Sequence, residues 1–248
     1  MKVSIITVCY NAEKTIENTI HSVLSQSYNE IEYIIIDGNS KDSTMKIVNR
    51  YKDKIAKIIS ENDKGIYDAM NKGINIASGE IIGILNADDV YVDNNVVEKK
   101  MLILNKDKKI NGCYSNLTYV SKDNNKTIRN WVSEKIPLEK IKLGWTIPHP
   151  TLFLRKKVYE TYGLYNTNFG NAADYEFILK IILSKKIYLE YLDIYSVKML
   201  IGGASNKSIK NIYSQNIKII KALDSHNVAY SKFYFFINKI KNKLKQYL

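Results

Sequence analysis

The chain has 248 residues, 45% of them hydrophobic, and a formal net charge of +12. This length suits one large domain or a domain with an appendage, and no apolar run reaches the roughly 18–20 residues that cross a bilayer. No basic leader with a cleavage site opens the sequence, Cys9 and Cys113 lack metal-ligand spacing, and Cys9 lies in an apolar strand that suits a buried reduced thiol, so the expected setting is the cytoplasm.

In chain order, Lys2–Val8 reads as a strand followed by a turn at Tyr10-Asn11. Residues 13–26 place Ile16, Ile20, Val23 and Leu24 at helical spacing. Ile31–Ile36 is a second buried strand ending in Asp37-Gly38-Asn39-Ser40, and Asp42 is expected to cap a helix running to about Tyr51. A strand over Ile55–Ser60 and a helix over residues 65–77 follow, the helix stopping at Gly79. This alternation predicts an α/β fold with a mostly parallel sheet covered on both faces. The second half is less regular. Strands are expected over 112–120, 126–132, 151–155, 187–191 and 194–200, and helices over 174–184, 208–225 and 229–247.

The most informative stretch is residues 80–89. Ile81-Ile82-Gly83-Ile84-Leu85 is apolar on both faces and too short for a helix, so it reads as a buried strand. Its carboxyl end delivers Asn86-Ala87-Asp88-Asp89 to the sheet edge where open α/β sheets bind ligands. Two adjacent carboxylates repel, and Mg²⁺ or Mn²⁺ would relieve that cost. A turn followed by a helix start explains the same aspartates without a ligand.

Five motifs in order resemble those of the inverting, nucleotide-sugar-dependent glycosyltransferases of family 2, with the GT-A fold. They are Val3-Ser-Ile-Ile-Thr-Val-Cys-Tyr-Asn11, Ile36-Asp37-Gly-Asn-Ser-Lys-Asp42-Ser-Thr44, Gly65-Ile-Tyr-Asp68-Ala-Met-Asn71-Lys-Gly73, Asn86-Ala-Asp88-Asp89 and Ala173-Asp174-Tyr-Glu. Each is weak alone, but their order and spacing are specific. The resemblance covers roughly residues 1–205. It implies a GT-A domain over 1–206, with a nucleotide-sugar half (1–110) and an acceptor half (111–206), then a basic helical segment over 207–248.

The resemblance also implies roles. Thr7, Tyr10 and Asn11 would meet the nucleoside, and Asp37 would accept from the base N–H unless it merely closes a turn. Lys64, Asp68 and Lys72 would lie beside the diphosphate or donor sugar, although a solvated helix face explains the lysines as well. Asn86 stands where the family's metal motif has Asp, leaving Ala87 as the middle residue and Asp88 as the principal ligand to Mg²⁺ or Mn²⁺. Asp89 would serve behind it or cap a following helix. Asp174 would be the base that deprotonates the acceptor hydroxyl, with an N-cap role as the alternative. Ala173 replaces the usual Glu of that motif. His149, between two prolines, and the backbone of Gly203 would approach the acceptor or diphosphate. Trp131 and Trp145 could stack on a sugar or pack in the core.

The resemblance thus implies hexose or N-acetylhexosamine transfer from a nucleotide sugar, UDP by expectation, to a hydroxyl of a bacterial surface glycan or its lipid-linked precursor. A nucleotidyltransferase would need a Gly-rich, basic loop after the first strand, and Val8-Cys9-Tyr10-Asn11-Ala12-Glu13 is not one. Residues 207–248 carry nine lysines against one acid, Asp224. Phe233, Phe236, Ile237, Ile240 and Leu244 recur there at helical spacing. Such a helix either rests on anionic lipid at the inner face of the membrane or packs on the domain with its lysines in water. Nucleic acid is not expected as a partner, because the charge gathers on a terminal helix rather than on a sheet interleaved with aromatics.

Overall fold

A computed structural model describes residues 1–121, 126–201 and 209–246. The first half alternates strands β1 (Val3–Cys9), β2 (Ile31–Asp37), β3 (Lys57–Ser60) and β4 (Ile81–Ile84) with helices α1 (Ile16–Leu24), α2 (Thr44–Asn49) and α3 (Ile66–Ile76). Then come β5 (Asp89–Tyr91), α4 (Val96–Lys106), β6 (Ile110–Val120), β7 (Thr127–Trp131), α5 (Leu138–Ile141), β8 (Phe153–Arg155), α6 (Lys156–Tyr162), α7 (Ala173–Leu183) and β9 (Tyr188–Leu200). Helices α8 (Ile209–Ser225) and α9 (Lys232–Lys245) follow.

The strands form one sheet in the order β3-β2-β1-β4-β8-β6-β9-β5, with β7 added to β6. The pairs among β3, β2, β1 and β4 are all parallel, as crossover helices require. Direction reverses at β8, which runs antiparallel to both β4 and β6. The second half therefore mixes parallel β6–β9 pairing with antiparallel β5–β9 and β6–β7 pairing.

The central strands are apolar on both faces because both are covered. Ile6, Val8, Ile34, Ile36, Ile82 and Ile84 join Met70 and Ile74 of α3 and Phe177 and Ile181 of α7. The alternate residues Val3, Ile5, Tyr33, Ile35 and Ile81 join Ile16 and Ile20 of α1, Val48 of α2 and Met101 of α4. Trp145 packs at the margin of the first cluster and Trp131 at that of the second, where both are partly buried.

Several boundaries differ from expectation for local reasons. Asp42 Oδ1 accepts from the Thr44 N–H at 2.9 Å, but Ser43 holds the cap position and α2 ends at Asn49. Asp89 begins strand β5, not a helix, so no helix cap exists there. The two strands expected over 187–200 are one, β9, whose pairing with β6 slips near Asn116. Helices α4, α5 and α6 have no clear signal in the sequence. The α4 stripe includes Lys100, which is fully buried, so its inner face does not look apolar in sequence.

The C-terminal helices pack on the domain. Ile219, Ala222 and Leu223 of α8 and Phe235 of α9 belong to the first core cluster. The far end of α9 is tied to β7, where the Asn130 N–H donates to the Gln246 carbonyl at 2.9 Å.

Candidate active site

Strands β1 and β2 end side by side, with Cys9 paired to Asp37, and their loops are stitched together. The Asn11 N–H donates to Ser40 Oγ at 2.8 Å, and the Lys41 N–H returns a bond to Asn11 Oδ1 at 2.8 Å. The Ala12 N–H reaches Thr44 Oγ1 at 2.7 Å, and the Glu13 N–H reaches Asp42 Oδ2 at 3.1 Å. Asn11 and Asn39 both take positive φ, +48° and +64°, a conformation Asn tolerates better than most residues. Asn11 is thus a structural tie between the two loops.

Asp37 is fully buried and closes this turn. Its carboxylate accepts from the Ser40 N–H at 3.0 Å, from Ser60 Oγ at 2.6 Å, from Ser40 Oγ and from Cys9 Sγ at 3.6 Å. About four lone-pair sites are available on a carboxylate, so a base N–H would have to displace one of these donors. Thr7 lies inside β1, fully buried, and its hydroxyl accepts from the Tyr33 hydroxyl at 3.1 Å, so its side chain is engaged within the sheet.

The open part of the ledge that these loops form is Tyr10, with half-buried Asp63 beside it across the buried Gly38. Tyr10 is 62% exposed. A Cβ on Gly38 would lie 2.4 Å from Asp63 Oδ2 and 3.4 Å from the Tyr10 ring. A side chain at Gly38 would push the Asp63 carboxylate away from its place beside the Tyr10 ring. Asp63 was not singled out in sequence, because nothing local signals that Gly38 faces it.

At the start of α3, Asp68 Oδ2 accepts from the Lys64 N–H at 3.0 Å. Lys72 Nζ lies 2.8 Å from Glu61, 3.6 Å from Asp68 and 2.7 Å from the Asn62 carbonyl. Its charge is already engaged by two carboxylates. The Lys64 side chain projects into solvent.

The turn after β4 is closed by the Asp89 N–H donating to the Asn86 carbonyl at 3.0 Å and by Asn86 Nδ2 donating to Asp89 Oδ2 at 3.0 Å. Ala87 is buried, whereas Asp88 is half-buried. Asp89 is fully buried; burial, and secondarily the Asp88 charge, push its carboxyl well above the usual range. One carboxylate of the pair is therefore held toward its neutral form. Among the described residues, Asn86 Oδ1 and Asp89 Oδ1 are buried oxygens without a hydrogen-bond partner. No group of three or more His, Cys, Asp or Glu side chains gathers as a metal cage among the described residues. One anionic oxygen ligand, Asp88, beside an unpartnered amide oxygen fits a cation completed by substrate phosphates, as Mg²⁺ sites commonly are.

The third cluster draws on distant segments. Asp174 is the second residue of α7, inside the helix rather than at its cap. It faces Tyr67 of α3; burial, then the charge and hydrogen bonding of Asp174, hold the Tyr67 hydroxyl strongly protonated. His149 opens a 3-10 turn, His149–Thr151, and its Nε2 shares a 2.8 Å hydrogen bond with the Tyr165 hydroxyl. Burial lowers the His149 pKa while the nearby Asp174 charge works against that shift. A cleft of about 100 Å³ opens beside this cluster, lined by Tyr67, Asp68, Thr167, Gly170 and Asn171 among others. Gly203 lies outside the described residues.

Comparison with known proteins agrees with this architecture. The family model "Glycosyl transferase family 2" matches residues 4–163. An uncharacterized glycosyltransferase of Mycobacterium tuberculosis is 34% identical over 73% of this chain and 69% of its own. The PGL/p-HBAD biosynthesis glycosyltransferase of Mycobacterium bovis is 25% identical over 82% of this chain and 78% of its own. Among solved structures, S. aureus TarS 1-349 in complex with UDP superimposes with a TM-score of 0.68 at 19% identity. That match covers 90% of this chain, which spans 65% of the TarS chain's length. The mannosyltransferase PcManGT from Pyrobaculum calidifontis, in complex with GDP-Man and Mn²⁺, gives 0.61 at 15% identity, covering 98% of this chain and 80% of that one. At these identities the structural matches establish the fold.

Proposed function

Because the chain belongs to the family 2 glycosyltransferases, we propose that it transfers a hexose or N-acetylhexosamine from a UDP-sugar to an acceptor hydroxyl with inversion. The observation that carries this reading is the meeting of Asp174, Tyr67 and His149, from three distant segments, beside a cleft. In this reading Asp174 takes the acceptor proton as the hydroxyl oxygen attacks the anomeric carbon. The bond from that carbon to the β-phosphate oxygen breaks on the opposite side, and UDP leaves. Tyr67 and His149 orient the carboxylate and the acceptor.

The base of the nucleotide would rest on Tyr10 and donate its N–H toward Asp63. Asp88, with Asn86 beside it, would hold Mg²⁺ or Mn²⁺, which when bound neutralises charge on the departing diphosphate. TarS with UDP and UDP-GlcNAc, and the Mn²⁺ complex of the mannosyltransferase, support both assignments by analogy of fold.

The acceptor is proposed to be a bacterial surface glycan or its lipid-linked precursor. Among the described residues no helix is long and apolar enough to cross a membrane. Phe233, Tyr234, Phe236 and Leu244 of α9 are nevertheless exposed among lysines, a surface suited to peripheral contact with anionic lipid. A donor panel scored by UDP or GDP release, with Mn²⁺ and with EDTA, tests the proposal. UDP-sugar turnover that EDTA and Asp88→Asn both abolish is expected. Equal turnover in EDTA would remove the metal from the reading, and no release from any donor would remove the activity.

A further inference from the structure

Helix α4 sends a charged side chain into the core. Val96, Val97, Met101 and Leu104 form its inner face, and Lys100 stands among them, fully buried. Burial lowers the Lys100 pKa to about 8, so the ammonium is still the main form at pH 7. No carboxylate lies within ion-pair distance of it among the described residues. A buried cation without a counter-charge costs free energy that an apolar side chain of similar volume would spare. Packing therefore does not account for Lys100, and its hydrogen bonds must.

Those bonds converge on one turn. Lys100 Nζ donates to the Thr151 carbonyl at 2.7 Å and to Ser115 Oγ at 3.2 Å, and it lies 5.1 Å from the centre of the Phe153 ring. Thr151 ends the His149–Thr151 turn, and Phe153 begins β8 two residues later. The Thr151 hydroxyl closes the same turn, 2.8 Å from the Pro148 carbonyl and 3.0 Å from the Ser115 carbonyl of β6. Ser115 Oγ shares a further 2.6 Å bond with Ser196 Oγ of β9. Thr151, Ser115 and Ser196 are all fully buried. At the other end of the turn, His149 shares its hydrogen bond with the Tyr165 hydroxyl. Lys100 and Tyr165 thus hold the turn from its two ends.

We propose that Lys100 is a positioning residue: by fixing the Thr151 carbonyl, it sets where the turn holds His149 relative to Tyr165 and the proposed base Asp174. The inference rests on the glycosyltransferase reading above. A charged donor holds a carbonyl more tightly than a neutral one, which suits an ammonium to this task. Pro148 and Pro150 fix φ on either side of His149, so a shift at Thr151 passes to the imidazole through few free torsions. Being fully buried, Lys100 itself meets no substrate.

The test uses the full chain. Lys100→Met keeps the reach of the side chain and removes the donor, whereas Ser115→Ala leaves the bond to Thr151 in place. The chain has three histidines, so a His149→Gln variant assigns the His149 ring-proton resonance by NMR. That resonance should shift in Lys100→Met and hold in Ser115→Ala, while those of His21 and His226 hold in both. Turnover of the UDP- or GDP-sugar that wild type accepts should fall about 10–10²-fold in Lys100→Met, the scale of a small misplacement near reacting atoms. Affinity for the released nucleotide, measured by calorimetry, should equal that of wild type. If Lys100→Met melts well below wild type, the double variant with Ser115→Ala carries the same measurements, since it leaves one orphan hydroxyl fewer. Failure of both to fold makes Lys100 a folding residue and overturns the proposal. An unmoved His149 resonance, wild-type turnover or a loss of nucleotide affinity in Lys100→Met each overturns it too. Wild type that turns over no UDP- or GDP-sugar brings down the glycosyltransferase reading and the role of Lys100 together. An unmoved His149 beside an active wild type leaves that reading standing.

Discussion

Asn71 grips the backbone of Tyr165 with both ends of its amide: Nδ2 donates to the Tyr165 carbonyl at 2.9 Å and Oδ1 accepts from the Tyr165 N–H at 3.0 Å. Tyr165 in turn holds His149 through its hydroxyl. The α3 motif therefore reaches the acceptor side through a side chain whose role is positional.

Asn71→Asp should expose that role. The replacement keeps the acceptor for the N–H but turns a donor into an acceptor facing the Tyr165 carbonyl. Loss of one partly buried hydrogen bond and the new repulsion should cost about 1–3 kcal/mol in urea unfolding at pH 7. Turnover should fall while UDP affinity holds, because Asn71 and Tyr165 make no contact with the ledge at Tyr10 among the described hydrogen bonds. A variant as stable and active as wild type would show the clamp to be incidental.

Asp174→Asn should lower kcat by at least about 10²-fold with donor affinity nearly unchanged. The amide keeps the size of the carboxylate but accepts no proton. It also removes the charge that holds up the Tyr67 pKa, so the Tyr67 phenol should ionise at lower pH, an independent readout by ultraviolet difference titration. Near-normal kcat on the true acceptor would take Asp174 out of the reaction.

Glu32 links stability to pH. Burial raises its pKa, but Ser4 Oγ at 2.5 Å, the Ser78 N–H at 2.7 Å, Ser78 Oγ at 2.8 Å and Lys57 at 3.4 Å outweigh burial. The net effect pulls it down from 4.5 to about 2. A folded pKa below the unfolded one favours the folded state when the group is ionised. The stabilisation is therefore complete above about pH 4.5 and is lost as pH falls through about 2. Glu32→Gln should cost roughly 2–3 kcal/mol at pH 7, and its difference from wild type should shrink toward pH 2. A difference independent of pH would mean packing, not charge, is responsible.

The two faces of α9 should separate by mutation. Phe235→Ala removes a fully buried ring and should destabilise the protein by about 3–5 kcal/mol. Phe233→Ser with Tyr234→Ser changes exposed groups only and should leave the melting temperature within error. The double variant should nevertheless sediment less with anionic liposomes, and salt should weaken binding of the wild type. Full-length protein that ignores liposomes at any salt would confine α9 to packing.

Much of the architecture follows from local pattern. The two-sided apolar runs of β1, β2 and β4, alternating with the helical stripes of α1 and α3, are enough to specify a covered parallel sheet and to bring Asp37 and Asp88 to its carboxyl edge. The family is equally legible, because the motifs keep their order along the chain. Tertiary structure alone decided which side chains remain available. Asp37 is satisfied by Ser40 and Ser60, Thr7 by Tyr33 and Lys72 by Glu61, whereas the open ledge passes to Tyr10, with half-buried Asp63 beside it. A buried polar group takes whatever partner folding places within about 3 Å, and such partners come from anywhere in the sequence. For the same reason Tyr67 and Asn71 carried no local sign of their neighbours. Their apposition to Asp174 and Tyr165 exists only once α3 and α7 are packed together.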